Sequence, residues 1–217
     1  MSDNDNARGY ASPPCFMHEL TPEFLPDGQP ADATAWADVK RWRKAERQRL
    51  IDARMAMSAD ERARRTQAIA AGLSDAIGTP GGKLVSLYWP FKGEPDLRGW
   101  MNETIAAGGR FALPVVIQAG HPLEFRAWAP GEPLERGVWN ILVPSNGPAV
   151  YPDVVIAPVV GFDGDRYRLG YGGGFFDRTL AAMPKKPLVL GIGYAQARIA
   201  TIYPQPHDIP MDRIVTG

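Results

Sequence analysis

The chain has 217 residues, of which 45% are hydrophobic and 10% aromatic, so it can bury a substantial core within one domain. Lys plus Arg and Asp plus Glu both number 24, so no overall charge draws the protein to nucleic acid or to an anionic membrane. We therefore expect its partners to be small molecules.

The cysteine content and the hydropathy pattern indicate where the protein works. Cys15 is the only cysteine, so the sequence offers no pair for an intrachain disulfide, and a reducing compartment suits it. No stretch approaches the roughly 20 apolar residues that span a bilayer, and the N-terminus lacks a basic region followed by an apolar one. We expect a cytoplasmic protein that is a monomer or a weak dimer.

The N-terminal part divides into an extension and a basic helix. Residues 1–32 have many prolines and glycines in their second half and no periodicity, which predicts a flexible extension before a single domain at 33–217. Between Ala35 and Met57 the apolar residues recur at spacings of three, four or their multiples, which predicts a helix with one apolar stripe. Its other faces carry a dense run of cations: Lys40, Arg41, Arg43, Lys44, Arg47 and Arg49.

A capping box separates this helix from a second one. Ser58 is followed three residues later by Glu61, which predicts a new helix start at that point. The second helix is expected to run to Ile77 and to stop at Gly78 and Pro80.

The rest of the chain alternates between short apolar runs and helical spacings. We predict strands at 84–89, 110–117, 123–128, 154–160 and 188–194, and helices at 97–105 and 174–182. Residues 129–152 are rich in proline and glycine and predict a long functional loop. The strand-loop-helix-strand order after Val154 predicts a three-layer α/β/α fold with a mainly parallel sheet.

Residues 166–178, with the sequence R-Y-R-L-G-Y-G-G-G-F-F-D-R, carry the most informative pattern. Glycines at 170 and 172–174 allow backbone amides to approach a ligand, and the start of a helix after them strengthens an anion nest. Arg168 can give a fork-shaped charge to phosphoryl oxygens, and Asp177 is a hard oxygen ligand of the kind that Mg²⁺ accepts. The segment therefore predicts phosphate binding.

A simpler interpretation of the same segment stays open. The glycines could only permit a tight turn and close helix packing, with Arg168 and Asp177 paired on the surface. The segment has no G-K-[ST] ending of a P-loop and does not match G-x-G-x-x-G spacing. The phosphate interpretation thus depends on the rest of the chain.

The run R-L-G-Y-G-G-G-F-F-D-R closely resembles the signature of the 5-formyltetrahydrofolate cyclo-ligases, whose usual form has two tyrosines where this chain has Phe175 and Phe176. Other segments match in the family's order and cover the chain from Lys40 onwards. They are A-M-S-A-D-E-R after the basic run, G-E-P-D at 93–96, L-P at 113–114, L-E-R-G-V-W-N-I at 134–141 and the closing P-H-D-I-P-M-D-R-I-V-T.

The resemblance implies a fold of the sugar-phosphate isomerase and CoA-transferase type, and an enzyme that uses ATP and Mg²⁺ to close 5-formyltetrahydrofolate into 5,10-methenyltetrahydrofolate. It assigns the ATP phosphates to Arg43 and Arg47, with Lys44 as an alternative to Arg43. It also places these residues around ATP: Arg168, Leu169, Gly170, Tyr171, Gly172, Gly173, Gly174, Phe175 and Phe176.

The same resemblance implies a folate site and a metal site. The folate contacts would be Trp89, Glu94, Trp139, Tyr171, Gly172, Gly173, Gly174 and Phe175. A carboxylate such as Glu94 can accept two parallel N–H donors from a 2-amino-pyrimidinone ring. Asp177 and Asp208 match the family's Mg²⁺ ligands, although spacing alone predicts only a turn at Asp208. Arg168 and Asp177 are the catalytic residues that the resemblance implies.

Three departures from the family pattern concern the substrate contacts. The phenylalanine pair loses two hydroxyls, Gly173 replaces a lysine that some relatives carry, and the N-I-L-V-P after Trp139 lacks a frequent acidic residue. A paralogue that binds folate or nucleotide without catalysis therefore stays open as an alternative. A sugar-phosphate isomerase or CoA-transferase is a second alternative, although such enzymes do not need a basic helix that grips ATP.

Overall fold

The computed structural model describes residues 33–217, and the extension predicted for 1–32 lies outside the described residues. Four α-helices form: α1 (Ala33–Ala56), α2 (Ala59–Ile77), α3 (Arg98–Ala106) and α4 (Phe175–Ala182). None of these described helices combines the length and apolarity that crossing a membrane requires.

The predicted break between the first two helices is confirmed. Ser58 has extended backbone angles, and its hydroxyl accepts a hydrogen bond from the Glu61 N–H, so it caps α2. The buried residues Ile69, Leu73 and Ile77 form the stripe of α2 that faces the sheet.

The strands are β1 (Leu84–Ser86), β2 (Arg110–Val115), β3 (Glu124–Trp128), β4 (Leu134–Arg136), β5 (Leu142–Pro144), β6 (Ala149–Val150), β7 (Val154–Pro158), β8 (Gly161–Phe162), β9 (Arg168–Leu169), β10 (Leu188–Gly193) and β11 (Arg213–Thr216). Seven of them form one sheet in the order β11-β10-β7-β1-β2-β3-β6. The pairs from β11 to β2 are parallel, and β3 and β6 extend the sheet antiparallel at one edge.

Helices cover both faces of the sheet, which confirms the predicted three-layer α/β architecture with a mainly parallel sheet. On one face, the stripe of α2 packs with Val85 and Ile156, and the indole N–H of Trp100 in α3 donates to Ser74 of α2. On the other face, Leu180 of α4 packs against Val155 and Ala157. Successive residues of β7 therefore point into opposite layers, as expected for a central strand that is buried on both faces.

Helix α1 lies outside these layers, at the end of β7 where the chain leaves the sheet. Its buried residues Leu50 and Ile51 pack with Val159, Val160 and Phe162 just beyond β7. The basic helix is thereby held across the carboxyl end of a central parallel strand, where ligands bind in open α/β sheets.

Three predictions of local structure need correction. The predicted loop at 129–152 contains the β4–β5 hairpin, a short 3-10 turn at 138–140 and the edge strand β6. Its prolines and glycines lie in turns between very short strands, so its composition indicated a loop and did not predict the strand pairing. The strand predicted for 84–89 ends at Ser86, and that for 110–117 ends at Val115.

Pro114 fits inside β2 for a local reason. Pairing between β1 and β2 ends at Ala112, so the missing N–H of Pro114 removes no bond from that ladder.

Candidate active site

The glycine loop joins β9 to the start of α4. Gly172 and Gly174 have φ values of +96° and +61°, a region that side chains with a Cβ rarely adopt. Gly174 occupies the N-cap of α4 and supplies no side-chain acceptor for the first turn of the helix. The N–H groups of that turn are thus available to a bound anion.

Arg47 of α1 lies directly on this loop. Its Nε donates to the Gly170 carbonyl at 2.6 Å. A Cβ on Gly172 would stand 3.3 Å from the Arg47 guanidinium, so the bare backbone at this position lets the cation approach. The structure therefore brings a predicted phosphate-binding arginine against the predicted phosphate loop.

Arg168 and Asp177 form a buried ion pair, not the surface pair of the simpler interpretation. Nη2 of Arg168 lies 2.8 Å from Asp177 Oδ2, and the two side chains are 5% and 16% exposed. The Arg168 guanidinium also covers the Phe176 ring. Burial lowers the pKa of Arg168 below its ordinary value, while the charges of Asp177 and Asp208 oppose that shift.

Asp208 lies beside Asp177 and forms an ion pair with Arg43, another predicted phosphate ligand. Its Oδ2 is 2.5 Å from Arg43 Nη2 and accepts the Gln205 N–H at 2.7 Å. The N–H of the next residue, Ile209, donates to Asp177 Oδ1 at 3.2 Å. Two carboxylates and two arginines from distant parts of the chain thus converge here.

The donor set at this point fits Mg²⁺ in kind. Mg²⁺ binds through one or two carboxylates together with water and substrate phosphates, and Asp177 and Asp208 supply two neighbouring carboxylates. No group of three or more His, Cys, Asp or Glu side chains suited to a metal occurs in the described part of the chain. A metal here would depend on a phosphate ligand for the rest of its coordination.

Glu94 is buried at the end of the turn that follows β1. Its Oε1 accepts the Tyr171 hydroxyl at 3.0 Å, and its Oε2 accepts the Phe91 N–H at 2.9 Å. Burial raises the pKa of Glu94 from 4.5 to about 7, while the positive charge of Arg54 opposes the shift. Burial raises the pKa of Tyr171 above its ordinary value, with the Glu94 charge adding to the effect, so the hydroxyl keeps its proton.

Two of the predicted folate-contacting aromatics meet at the rim of the site. The rings of Trp139 and Phe175 are 5.9 Å apart in an edge-to-face arrangement, and Trp139 is 41% exposed with a positive φ of 56°. Phe176 instead packs into the sheet layer with Leu180. The two phenylalanines that the sequence presents as a pair therefore face different surroundings.

The remaining predicted residues occupy three different environments. Trp89 is half-buried, with its ring edge-to-face against Trp128 at 6.0 Å. Leu169 is buried in the core between α1 and the glycine loop, so only its backbone can reach a ligand. Lys44 is exposed on α1, whereas Arg43 points to the Asp208 carboxylate, which favours Arg43 as the phosphate ligand.

Sequence reasoning missed Arg54 and Arg178. Arg54 is 5% exposed and donates to the Tyr171 hydroxyl at 2.5 Å. Its position seven residues after Arg47 placed it on the same helical face, which is the signal that could have found it. Arg178 donates to the Gly173 carbonyl and lies over the Phe175 ring.

An α/β sheet whose glycine loop and helix start are lined by arginines is typical of proteins that bind a phosphorylated ligand. The model of the 5-formyltetrahydrofolate cyclo-ligase family matches residues 39–217, so the chain belongs to that family of ligases.

Curated relatives and solved structures agree with this assignment. The chain is 30% identical over 142 residues to a 5-formyltetrahydrofolate cyclo-ligase of Haemophilus influenzae, a match that covers 62% of this chain and 76% of the relative. It is 32% identical over 140 residues to that of Escherichia coli K12, which covers 61% and 76%.

Among solved structures, the 5,10-methenyltetrahydrofolate synthetase of Aquifex aeolicus superposes with a TM-score of 0.69 at 28% identity, over 80% of this chain and 88% of the other. The synthetase of Mycoplasma pneumoniae superposes with a TM-score of 0.67 at 24% identity, over 80% and 98%, and supports the fold.

Proposed function

We propose that the protein closes 5-formyltetrahydrofolate to 5,10-methenyltetrahydrofolate and consumes ATP, with ADP and phosphate as the other products. The observation that carries this proposal is the position of Tyr171. It lies in the glycine loop on which Arg47 rests, and its hydroxyl reaches the buried Glu94 carboxylate. Tyr171 therefore joins the loop proposed to hold phosphate to the acid proposed to bind folate.

The chemistry explains why such a site joins ATP to folate. The formyl oxygen of an N5-formamide leaves poorly as hydroxide, so it must first be activated. Transfer of the γ-phosphoryl group to that oxygen breaks the bond to ADP and gives an iminium phosphate. N10 then attacks the formyl carbon and loses its proton, and the carbon–oxygen bond breaks to release phosphate.

The protein's task in this scheme is to position the groups and stabilise charge. Arg43, Arg47 and Arg168 would hold the triphosphate, and the N–H groups at the start of α4 would bind the group in transfer. Mg²⁺ bound by Asp177 and Asp208 would neutralise phosphate charge. The scheme requires no protein nucleophile.

Glu94 and the aromatic residues would bind the folate. Each carboxylate oxygen of Glu94 accepts one hydrogen bond from the protein and retains a lone pair, enough for two parallel N–H donors of the pterin. A cavity of about 590 Å³ lined by Glu94 and Tyr194 adjoins this carboxylate. Trp139 and Phe175 present aromatic surface to the rest of the folate, and Trp89 would add an apolar contact.

The direct test follows the absorbance of methenyltetrahydrofolate. We expect product to appear when the purified protein receives 5-formyltetrahydrofolate, ATP and Mg²⁺, with one ADP released for each ring closed. Omission of ATP should abolish it. Tight folate binding without any turnover would instead identify a non-catalytic paralogue. A cytoplasmic location and a monomer or weak dimer stay predictions of the sequence.

A further inference from the structure

Arg54 links three segments of the candidate site from a buried position on α1. Its Nε donates to the Lys92 carbonyl at 2.9 Å and its Nη2 to the Tyr171 hydroxyl at 2.5 Å. Its guanidinium also lies over the Tyr171 ring. Gly93 has a φ of +74° and lets the turn before Glu94 lie against the side chain of Arg54.

These bonds have a defined direction. Because Arg54 donates to the Tyr171 oxygen, the single hydroxyl proton must point to another acceptor. Glu94 Oε1 lies 3.0 Å from that oxygen, whereas the Phe91 carbonyl lies 3.5 Å away. When Glu94 is ionised it is therefore the better acceptor, and a chain of donors runs from Arg54 through Tyr171 to Glu94.

We propose that Arg54 is a positioning residue for the folate-binding carboxylate: through the Tyr171 hydroxyl it keeps Glu94 oriented as an acceptor and holds the glycine loop against the 91–94 turn. This inference rests on the proposed function, because it assumes that Glu94 receives N–H donors from the folate. Arg54 would thus have a specific role in addition to contributing to the positive charge of α1.

Loss of Arg54 would let the Tyr171–Glu94 bond reverse. Without the guanidinium, a protonated Glu94 can donate to the tyrosine oxygen, and that form cannot accept two N–H groups from a pyrimidinone. The other titratable or charged groups around Glu94 are Tyr88 and Tyr194, and the cavity beside it also carries Arg62, Asp96 and Arg98. Of the cations, Arg54 is the one that opposes Glu94 protonation most.

The experiment measures kcat and KM for 5-formyltetrahydrofolate and for ATP between pH 5.5 and 9 in Arg54→Met, Arg54→Lys and Tyr171→Phe. For Arg54→Met at pH 7 we expect the KM for the folate to rise about tenfold, the effect of one charge-assisted hydrogen bond, with a smaller change for ATP. The acid limb of kcat/KM should move to higher pH, so that the defect shrinks at pH 9. Tyr171→Phe should move the limb in the same direction.

Arg54→Lys keeps the charge but cannot span both acceptors, so it should restore part of the limb position. Arg49→Met, on an exposed face of the same helix, serves as the matched control and should leave the profile unchanged. If Arg54→Met does not fold, Arg54→Lys and Tyr171→Phe still test the proposal. An acid limb that stays in place in every folded variant, with equal changes in both KM values, overturns it.

A parallel binding measurement separates this proposal from the proposed function. Calorimetric titration of 5-formyltetrahydrofolate over the same pH range reports the Glu94 acceptor without any turnover. If the wild-type protein binds folate but makes no product, and the variants still weaken binding below pH 7, the reaction is wrong and the positioning role stands. Binding that is insensitive to Arg54 at every pH contradicts the positioning role.

Discussion

Arg43 and Asp208 are 165 positions apart in the chain, yet their side chains form a partly buried ion pair with Nη2 2.5 Å from Oδ2. The pair fixes the middle of α1 to the segment that precedes β11. Arg47 and Arg54 continue along the same face of the helix to the glycine loop and to the turn before Glu94. One helical face thus assembles the candidate site from three separate segments.

Replacement of Arg47 should selectively weaken the binding of ATP. Loss of its guanidinium in Arg47→Met removes the charge-assisted contact proposed with phosphate, so we expect the KM for ATP to rise by about ten- to a hundredfold. Steady-state kinetics with both substrates measures this, and the KM for the folate should change far less. Arg41→Met, which alters an exposed arginine of the same helix, is the control. Equal KM values for ATP in wild type and Arg47→Met would remove Arg47 from the phosphate site.

The carboxylate of Asp177 should matter for the Mg²⁺ dependence of turnover. In Asp177→Asn we expect kcat to fall at least about a hundredfold and the Mg²⁺ concentration for half-maximal activity to rise, because an amide is a weaker ligand than a carboxylate. ADP release with 5-formyltetrahydrofolate across a Mg²⁺ titration is the measurement. Asp165→Asn, at an exposed position before β9, should behave like wild type. Unchanged turnover in Asp177→Asn excludes the metal role.

Removal of the Trp139 indole at the rim of the site should weaken the binding of the folate and leave that of ATP unchanged. Trp139→Ala takes away the ring that meets Phe175, and we expect the KM for 5-formyltetrahydrofolate to rise about tenfold with little change for ATP. Tyr151→Ala is the matched control, since Tyr151 is 69% exposed in the same stretch of chain. A folate KM that responds equally to both substitutions would mean that Trp139 makes no specific contact.

Glu94 should make stability depend on pH even without ligands. Its pKa is raised by burial from 4.5 to about 7, so the folded state holds the proton more tightly than the unfolded state does. The resulting stabilisation is fully present below pH 4.5 and is lost as the pH rises through 7, an effect of up to about 3 kcal/mol.

The matched variant Glu94→Gln lacks this titration. Urea unfolding of both proteins between pH 4.5 and 8 should therefore give a difference in unfolding free energy that shifts in favour of the variant as the pH rises. A difference that stays constant over this range would show that Glu94 does not titrate abnormally in the folded protein.

Local patterns in the sequence were sufficient to predict the four helices and the strands β1, β2, β3, β7 and β10, but not the remaining six strands, which include the edge strand β11. The capping box at Ser58 and the apolar run at 154–160 report on neighbouring residues, because caps and strand burial follow from short-range spacing. The hairpin within 129–152 escaped prediction, because its strands have only three residues each and pairing partners leave no periodicity in so short a run.

By itself, the sequence determined the family and the fold class, and it predicted which groups are expected to meet phosphate and folate, because those inferences depend on residue types in a fixed order. Only the tertiary structure decided which charges meet. It buried Arg168 against Asp177, turned Phe176 into the core and Phe175 towards Trp139, and connected Arg54 to Glu94 through Tyr171. Contacts between residues that are distant in the chain depend on how helices and loops pack on the sheet, and the local spacing of residues does not predict that packing.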